Sequence, residues 1–502
     1  MRLATLLAAL PSFELHGDPE VEISQIVPDS RQVGPGALFV AVPGLHHDGH
    51  RYIPDAIARG AAAIVAERPV PLEAPLPLIV TPSAREALAH LCAAWYGHPA
   101  RSLRVVGVTG TDGKTTTANL IHALLQAAGR PAGLISTVHA IIGDAIYDTG
   151  LHTTTPDAPD VQRYLAEMVR AGAEYAVLES TSHGLAQGRV TACDFDVAVV
   201  TNITHEHLDY HGSHEAYVAA KARLFRFLGE GWRKPGVPKV AVLNADDTHF
   251  STLRAIPADR HLTYGLGASC DVTASEVRAT SQGIAFQAHT PVGDFPVRSP
   301  LVGEYNVYNC LAALAVGVSQ GLPIAAMQEG IARVAGLSGR MERIDEGQDF
   351  TAIVDFAHTP YALAQALRAA RALAAPGGRV IAVFGSAGLR DVEKRAWMGR
   401  ISAQEADLTV LTAEDPRTEP LERILEQMAE GCRAGGGVEG HTFWRIGDRA
   451  EAIAFAVGLA RAGDVVIACG KGHERSMCFG TTEYPWSDQD AMREALRRRK
   501  KR

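Results

Sequence analysis

Short apolar runs recur along the whole chain, and most are followed by a helical pattern. They are ALFVAV (37–42), AAAIVA (61–66), LRVVGVTG (103–110), YAVLES (175–180), VAVVTNI (197–203) and KVAVLNADD (239–247), then TAIVDFAH (351–358), RVIAVFGSAG (379–388), LTVLTAEDP (408–416) and DVVIACGKG (464–472). Runs this short, interleaved with helices, are the mark of βαβ units, so the expected fold class is α/β with mostly parallel sheets covered by helices. Several of the runs end in small or charged residues, at the strand ends where open α/β sheets bind their ligands. A chain of 502 residues exceeds one ordinary core. Turn-rich WYGHPARS (95–102) and VAGLSGRMERI (334–344) divide it into expected domains 1–102, 103–336 and 337–502.

Charge narrows the partners. With 48 Lys plus Arg against 56 Asp plus Glu, the chain has no whole-molecule attraction for nucleic acid or an anionic membrane, so phosphate binding must be local. Its seven cysteines contain no Cys-x-x-Cys, which indicates neither a disulfide framework nor a zinc ribbon and fits a reducing cytoplasm. MRLATLLAALPSFEL lacks a small-x-small cleavage site and reads as an amphipathic first helix. No apolar run reaches the length of a membrane span, and the closing RRRKKR reads as a solvated helix end.

The most specific local signal is RVVGVTGTDGKTTTANLIHALLQAAG, which reads as strand, glycine turn and helix. Gly110 and Gly113 let backbone N–H groups approach phosphates, Lys114 supplies charge, and Thr115 offers a hydroxyl to Mg²⁺ at a helix N-terminus. The common phosphate-loop pattern would need glycine where Val108 stands. The chain has no Asn-Lys pair to read guanine, which disfavours a switch GTPase, while a kinase or motor ATPase stays open on the loop alone. Glu179, at a strand end, suits either a hard-metal ligand or a helix-cap partner. Asn202, His205, Glu206, His207, Asp209 and His211 form a polar cluster whose spacing matches no common zinc framework.

Taken in order, GTDGKTT, TTTPDA, SHGLAQGRV, TNITHEHLDYHGSHEAYVAAKARLF, GEYNVYN, GRME, DFAHTP and GKGHE resemble the Mur ligases, most closely the MurE-type branch that forms the muramoyl tripeptide of peptidoglycan. The family uses a shorter loop of the form Gly-Thr-x-Gly-Lys-Thr-Thr, which Gly110 to Thr116 match. The resemblance implies a UDP-binding α/β domain, a central P-loop ATPase-type parallel sheet and a C-terminal Rossmann-like domain. It implies ATP-driven amide formation through an acyl phosphate, by an enzyme acting as a monomer on small-molecule substrates, with no nucleic acid and no membrane span.

By that resemblance, Gly110, Thr111, Asp112, Gly113, Lys114, Thr115 and Thr116 hold the ATP phosphates, with Asn306, Asn309, Arg340, Asp355 and His358 on the nucleotide side. Thr115, Glu179, His207 and Lys221 serve Mg²⁺, Lys221 matching a lysine that is carbamylated in the family; Lys114, His207 and Lys221 carry the catalytic roles. Ser30, Arg31, His46 and His47 are candidates for the UDP moiety, and Thr154, Thr155, Ser182, Gln187 and Arg189 for the muramoyl dipeptide. Arg390, Glu414, Asp415, Arg417, Gly470 and Glu474 are candidates for the incoming amino acid. Family members that add meso-diaminopimelate usually carry Asp-Asn-Pro-Arg where this chain has Glu414-Asp415-Pro416-Arg417. The extra Asp415 carboxylate is expected to favour a distal amine, so L-lysine and L-ornithine stand beside meso-diaminopimelate. Sister ligases of folylpolyglutamate or cyanophycin type, and a non-catalytic ATP-binding scaffold, are the alternatives.

Overall fold

The computed structural model describes residues 1–44, 47–72, 74–147, 155–204, 206, 208–267 and 269–500. Three α/β sheets follow one another along the chain, as the alternation of apolar runs and helical patterns predicts. The first has five strands in the order Glu14–His16, Leu78–Val80, Ala61–Ala66, Ala37–Val40 and Gln25–Val27, parallel except for the Glu14–His16 edge. The short helix Leu3–Leu7 buries Leu3, Leu6 and Leu7 in a core shared with Leu88 and Leu91 of the helix Ala84–Trp95.

The second sheet has eight strands, and its strand Arg104–Thr109 lies between Tyr175–Glu179 on one side and Val197–Val200 on the other. All three are parallel, so their carboxyl ends open together at the point where the chain changes direction across the sheet. Side chains alternate through the sheet: Val106 and Val108 pack with Leu120 and Leu124 of the helix Lys114–Ala127, while Val105 packs with Leu224 and Phe225 of the helix His214–Glu230. Coverage of both faces explains why these strands read as continuous apolar runs.

The third sheet has six strands in the order Glu342–Ile344, Thr351–Asp355, Val465–Cys469, Val380–Phe384, Leu408–Leu411 and Phe443–Arg445, parallel except for the first. Two further elements have no counterpart in the apolar-run pattern. One is the antiparallel sheet of Thr273–Thr280, Gly283–Thr290 and Gly293–Ser299; the other is the hairpin Ser476–Phe479 with Thr482–Pro485. Both expose much of their surface, so polar residues dilute the apolar signal. Arg497 to Lys500 close the helix Asp488–Lys500, where cations complement the C-terminal end of the dipole. Among the described residues no helix is long and apolar enough to cross a membrane.

Candidate functional site

The phosphate loop connects Arg104–Thr109 to the helix Lys114–Ala127, with Gly110 at φ +146° and Gly113 at φ +82°. A Cβ on Gly113 would stand 2.3 Å from Asn309 Oδ1, so the loop needs glycine both for its backbone angle and for the approach of the helix Asn306–Ser319. Asn309 is held in turn, accepting from Thr117 Oγ1 at 3.3 Å and donating to Asn306 Oδ1 at 2.8 Å. Lys114 folds back to donate to Thr111 O at 2.8 Å. Thr111 Oγ1 lies 2.9 Å from the Tyr217 hydroxyl.

At the adjacent strand end, Thr115 Oγ1 lies 3.0 Å from both carboxylate oxygens of Glu179, and Thr137 N–H donates to Glu179 Oε2 at 2.9 Å. A hydroxyl and a carboxylate from neighbouring elements thus present hard oxygen donors together. Asp112 has a buried Oδ2 with no hydrogen-bond partner among the described residues, and burial, reinforced by Glu206, raises its carboxyl to about 6.

Lys221 lies inside the molecule. On the helix His214–Glu230 the buried positions are Tyr217, Val218, Ala220, Lys221, Ala222, Leu224, Phe225 and Leu228, so the lysine occupies the core-facing stripe. Its Nζ donates to Gly110 O at 2.5 Å and lies 4.4 Å from the Tyr217 ring centre. Burial, with Lys114 as a like-charged neighbour, pulls its pKa well down and favours the neutral amine.

Residues of the third sheet complete the surroundings. Arg340 Nη2 donates to Thr115 Oγ1 at 3.3 Å, and its guanidinium stacks 4.6 Å from the Phe356 ring centre. Asp355 accepts from Met341 N–H at 2.7 Å and Ala357 N–H at 2.8 Å, while burial raises its pKa. His358 places Nδ1 2.9 Å from Phe356 O and Nε2 3.0 Å from Glu206 Oε1. Burial pulls that imidazole down, but Glu206 outweighs it and raises the pKa; two acceptors on one ring suit the doubly protonated form. Asp112, Gly113, Asn306, Arg340, Asp355 and His358 line one cavity of about 820 Å³, within the size range of small-molecule sites.

The structure also gathers most of the dipeptide candidates. Thr155 Oγ1 donates to Glu179 O at 3.0 Å, Arg189 donates to Thr155 O at 2.7 Å, and Gln187 Oε1 accepts from Arg189 at 2.7 and 3.0 Å. Ser182 is buried at the start of the short helix Ser182–Ala186. Ser30 and Arg31 lie apart from these, on a single turn of the first domain; Ser30 is buried, and Arg31 is exposed and paired with Asp29 at 2.8 Å. His47 is exposed. His46, Thr154 and His207 lie outside the described residues.

The amino-acid candidates lie on the loops at the carboxyl ends of the third sheet, with Glu414 close enough to His358 to act on its charge. Glu414 is buried, its Oε2 without a hydrogen bond among the described residues, and Gly470 adopts φ +109° against it. Arg417 donates to Gly388 O at 3.1 Å, Glu474 pairs with Lys471, and Arg390 is exposed on the loop that follows Val380–Phe384. Asp415 is tied within the protein: both its oxygens accept from Lys471 Nζ at 2.9 Å, and Oδ1 also accepts from Cys478 N–H at 2.9 Å, with Lys471 shared between Asp415 and Glu474.

Three family models match in succession: "Mur ligase family, catalytic domain" over residues 22–96, "Mur ligase middle domain" over 108–317, and "Mur ligase, glutamate ligase domain" over 339–472. The chain belongs to the Mur ligase family. A UDP-N-acetylmuramyl-tripeptide synthetase of Roseiflexus sp. (strain RS-1) is 48% identical to this Mur ligase over 485 residues, covering 95% of this chain and 94% of its own. A UDP-N-acetylmuramoyl-L-alanyl-D-glutamate--2,6-diaminopimelate ligase of Geobacillus thermodenitrificans is 43% identical over 500 residues, covering all of both chains. Among solved structures, a ligase of that same description superposes with a TM-score of 0.68 at 32% identity, covering all of both chains. A folylpolyglutamate synthase of Mycobacterium tuberculosis shares the fold, with a TM-score of 0.62 at 19% identity over 82% of this chain and 94% of its own.

Several residues of this Mur ligase escaped the sequence reading. Tyr217 stands one helical turn before Lys221, a spacing that points to the same helix face. Lys471 stands inside GKGHE between two candidates, which was its only signal. Arg449 had none: it is fully buried, pairs with Asp488 at 2.6 Å and donates to Ala413 O and Cys469 O at 3.2 and 2.8 Å, fixing the strand ends that precede Glu414 and Gly470.

Proposed function

We propose that this Mur ligase joins the D-glutamate carboxylate of UDP-N-acetylmuramoyl-L-alanyl-D-glutamate to an amino group of a diamino acid, at the expense of ATP and through an acyl phosphate. The diamino acid is meso-diaminopimelate, L-lysine or L-ornithine. The observation that carries the reading is the pairing of Thr115 with Glu179 beside a phosphate loop whose cavity is shared with Arg340, Asp355 and His358. The two full-length relatives, named for tripeptide synthesis and for diaminopimelate ligation, support it.

In this reading Lys114 and the loop N–H groups hold the β- and γ-phosphates, and Asn306, Asn309, Arg340, Asp355 and His358 hold the nucleotide from the other side of the cavity. Thr115 and Glu179 fit Mg²⁺ because they present oxygen donors side by side, with His207 and Lys221 as the further ligands; the ion supplies charge neutralisation on the transferring phosphoryl group. Lys221 serves as a carbamate. Its buried, neutral amine is the form that adds to CO₂, and the adduct releases one proton to leave an anionic carbamate whose oxygens suit a hard cation. Ser30, Arg31, His46 and His47 receive the UDP moiety, and Thr154, Thr155, Ser182, Gln187 and Arg189 orient the dipeptide carboxylate. Arg390 anchors the α-carboxylate of the amino acid, with Glu414, Asp415, Arg417, Gly470 and Glu474 around its distal end. The enzyme acts as a cytoplasmic monomer.

The test is ATP-dependent phosphate release with UDP-N-acetylmuramoyl-L-alanyl-D-glutamate and each of the three amino acids offered separately, with product masses measured. Turnover with one of them, and a mass equal to the sum of both substrates less water, is the expected result. ATP binding without turnover of any of them would overturn it.

A further inference from the structure

Lys471 is fully buried, yet none of the chemistry proposed above uses it. Its Nζ reaches both oxygens of Asp415 at 2.9 Å and pairs with Glu474. Asp415 lies beyond the strand Leu408–Leu411, at φ +43°, and Lys471 beyond the strand Val465–Cys469, so one ammonium ties together two loops that are 56 residues apart. The third contact of Asp415, with Cys478 N–H, adds the hairpin Ser476–Phe479 to the same knot. Burial alone would push the lysine toward the neutral amine, but Glu474 and Asp415 outweigh burial and keep it charged.

Beside this knot stands a buried carboxyl, Glu414, whose pKa burial raises while Lys394 and Arg449 act against that shift. Glu414 Oε2 has no hydrogen-bond partner among the described residues, and a Cβ on Gly470 would come 2.1 Å from it, so the carboxyl lies against the backbone that leads into Lys471. Glu414, Asp415 and Glu474 thus share one wall with the Lys471 ammonium, while Lys394 acts on Glu414 as a second cation. Arg417, two residues beyond Asp415 on the same loop, is tied to Gly388 O at 3.1 Å. In a site shielded from water, one elementary charge more or less changes the binding of a charged group steeply.

We propose that Lys471 is a specificity-setting positioning residue: by holding Asp415 and Glu474 it fixes the net charge that this wall presents to the distal end of the incoming amino acid. The inference rests on the amino-acid site proposed above. It separates two substrate classes by charge, because the distal end of L-lysine or L-ornithine carries a net positive charge, whereas that of meso-diaminopimelate carries an ammonium and a carboxylate that cancel. Removing Lys471 makes the wall more negative and favours the cationic end. Removing the Asp415 charge makes it less negative and favours the zwitterionic end.

The experiment measures kcat/KM for L-lysine, L-ornithine and meso-diaminopimelate, with ATP and the UDP substrate saturating, in the wild-type enzyme, Lys471→Met, Asp415→Asn and the double variant. The ratio of either plain diamine to meso-diaminopimelate should rise about tenfold in Lys471→Met, fall about tenfold in Asp415→Asn, and return near the wild-type value in the double variant. KM for ATP should stay unchanged throughout. A purely structural role for Lys471 would lower activity on all three amino acids alike, and an unchanged ratio, or shifts of the same sign in both single variants, would overturn the proposal. If Lys471→Met does not fold, Lys471→Gln takes its place with the same expected rise, since its amide N–H can still donate to Asp415 while carrying no charge. A wild-type enzyme that binds ATP but turns over none of the amino acids would overturn the underlying reading, and this inference with it.

Discussion

Arg340 and Glu179, 161 positions apart in the chain, converge on one hydroxyl: Thr115 Oγ1 accepts from Arg340 Nη2 at 3.3 Å and lies 3.0 Å from both Glu179 oxygens. The contact carries a cation from the third sheet to the end of the phosphate loop. Arg340→Ala should therefore raise KM for ATP by about tenfold to a hundredfold, the worth of a charge-assisted hydrogen bond. Initial rates at varied ATP measure it, and an unchanged KM would show that the guanidinium does not reach the nucleotide.

What the sequence made legible follows from how local each signal is. The phosphate loop is strand, turn and helix within one stretch, and Thr115 and Glu179 each end or begin an element that the apolar pattern marks. Asp355 and His358 were visible only through the order of the motifs, since a polar strand end by itself has many uses. The contact between His358 and Glu206 joins residues 152 apart, and that between Lys471 and Asp415 residues 56 apart; both depend on which strands become neighbours, which no local pattern states. Lys221 is intermediate. Its burial could be read from the apolar stripe through Tyr217, Leu224 and Leu228, but the Gly110 carbonyl that receives its Nζ could not.

Glu179 offers a second test. Glutamine there keeps the size of the side chain and an acceptor for Thr137 N–H, while removing the charge that a hard cation requires. Glu179→Gln should keep the melting temperature close to wild type, raise the Mg²⁺ concentration for half-maximal rate about tenfold or more, and lower kcat. Titration of phosphate release with Mg²⁺ measures this. An unchanged Mg²⁺ dependence would leave Glu179 as no more than a partner for Thr115 and Thr137.

For Lys221 the discriminating measurement is chemical rescue. Lys221→Ala should lose about a hundredfold or more in kcat and leave a cavity beside Gly110 O, which a small carboxylic acid such as formate or acetate can enter. Partial recovery with these acids, and none with methylamine, is expected if a carbamate is the working form. Recovery with methylamine alone would assign the role to the lysine amine.

The loop that carries the amino-acid candidates depends on a second buried pair, and its stability should follow pH in a defined way. Arg395, fully buried, donates to Glu419 at 2.7 and 2.8 Å, to Gln427 at 2.7 Å and to Ala387 O at 3.1 Å. The Arg395 hydrogen bonds hold the Glu419 carboxyl at about 2, below its ordinary 4.5. A carboxyl lowered by folding stabilises the folded form fully above its unfolded value and loses that contribution as the pH falls toward the folded value. The pair is thus complete at neutral pH, declines below about pH 4.5, and is gone near pH 2. Glu419→Gln should cost about 3 kcal/mol at pH 7, because the Arg395 charge is left buried and uncompensated, and about half as much at pH 3. Urea unfolding followed by the fluorescence of Trp444 and Trp486, which pack on the core of the third sheet, reports on this region. A difference that stays constant from pH 7 to pH 3 would mean that the cost arises from packing and not from the ion pair.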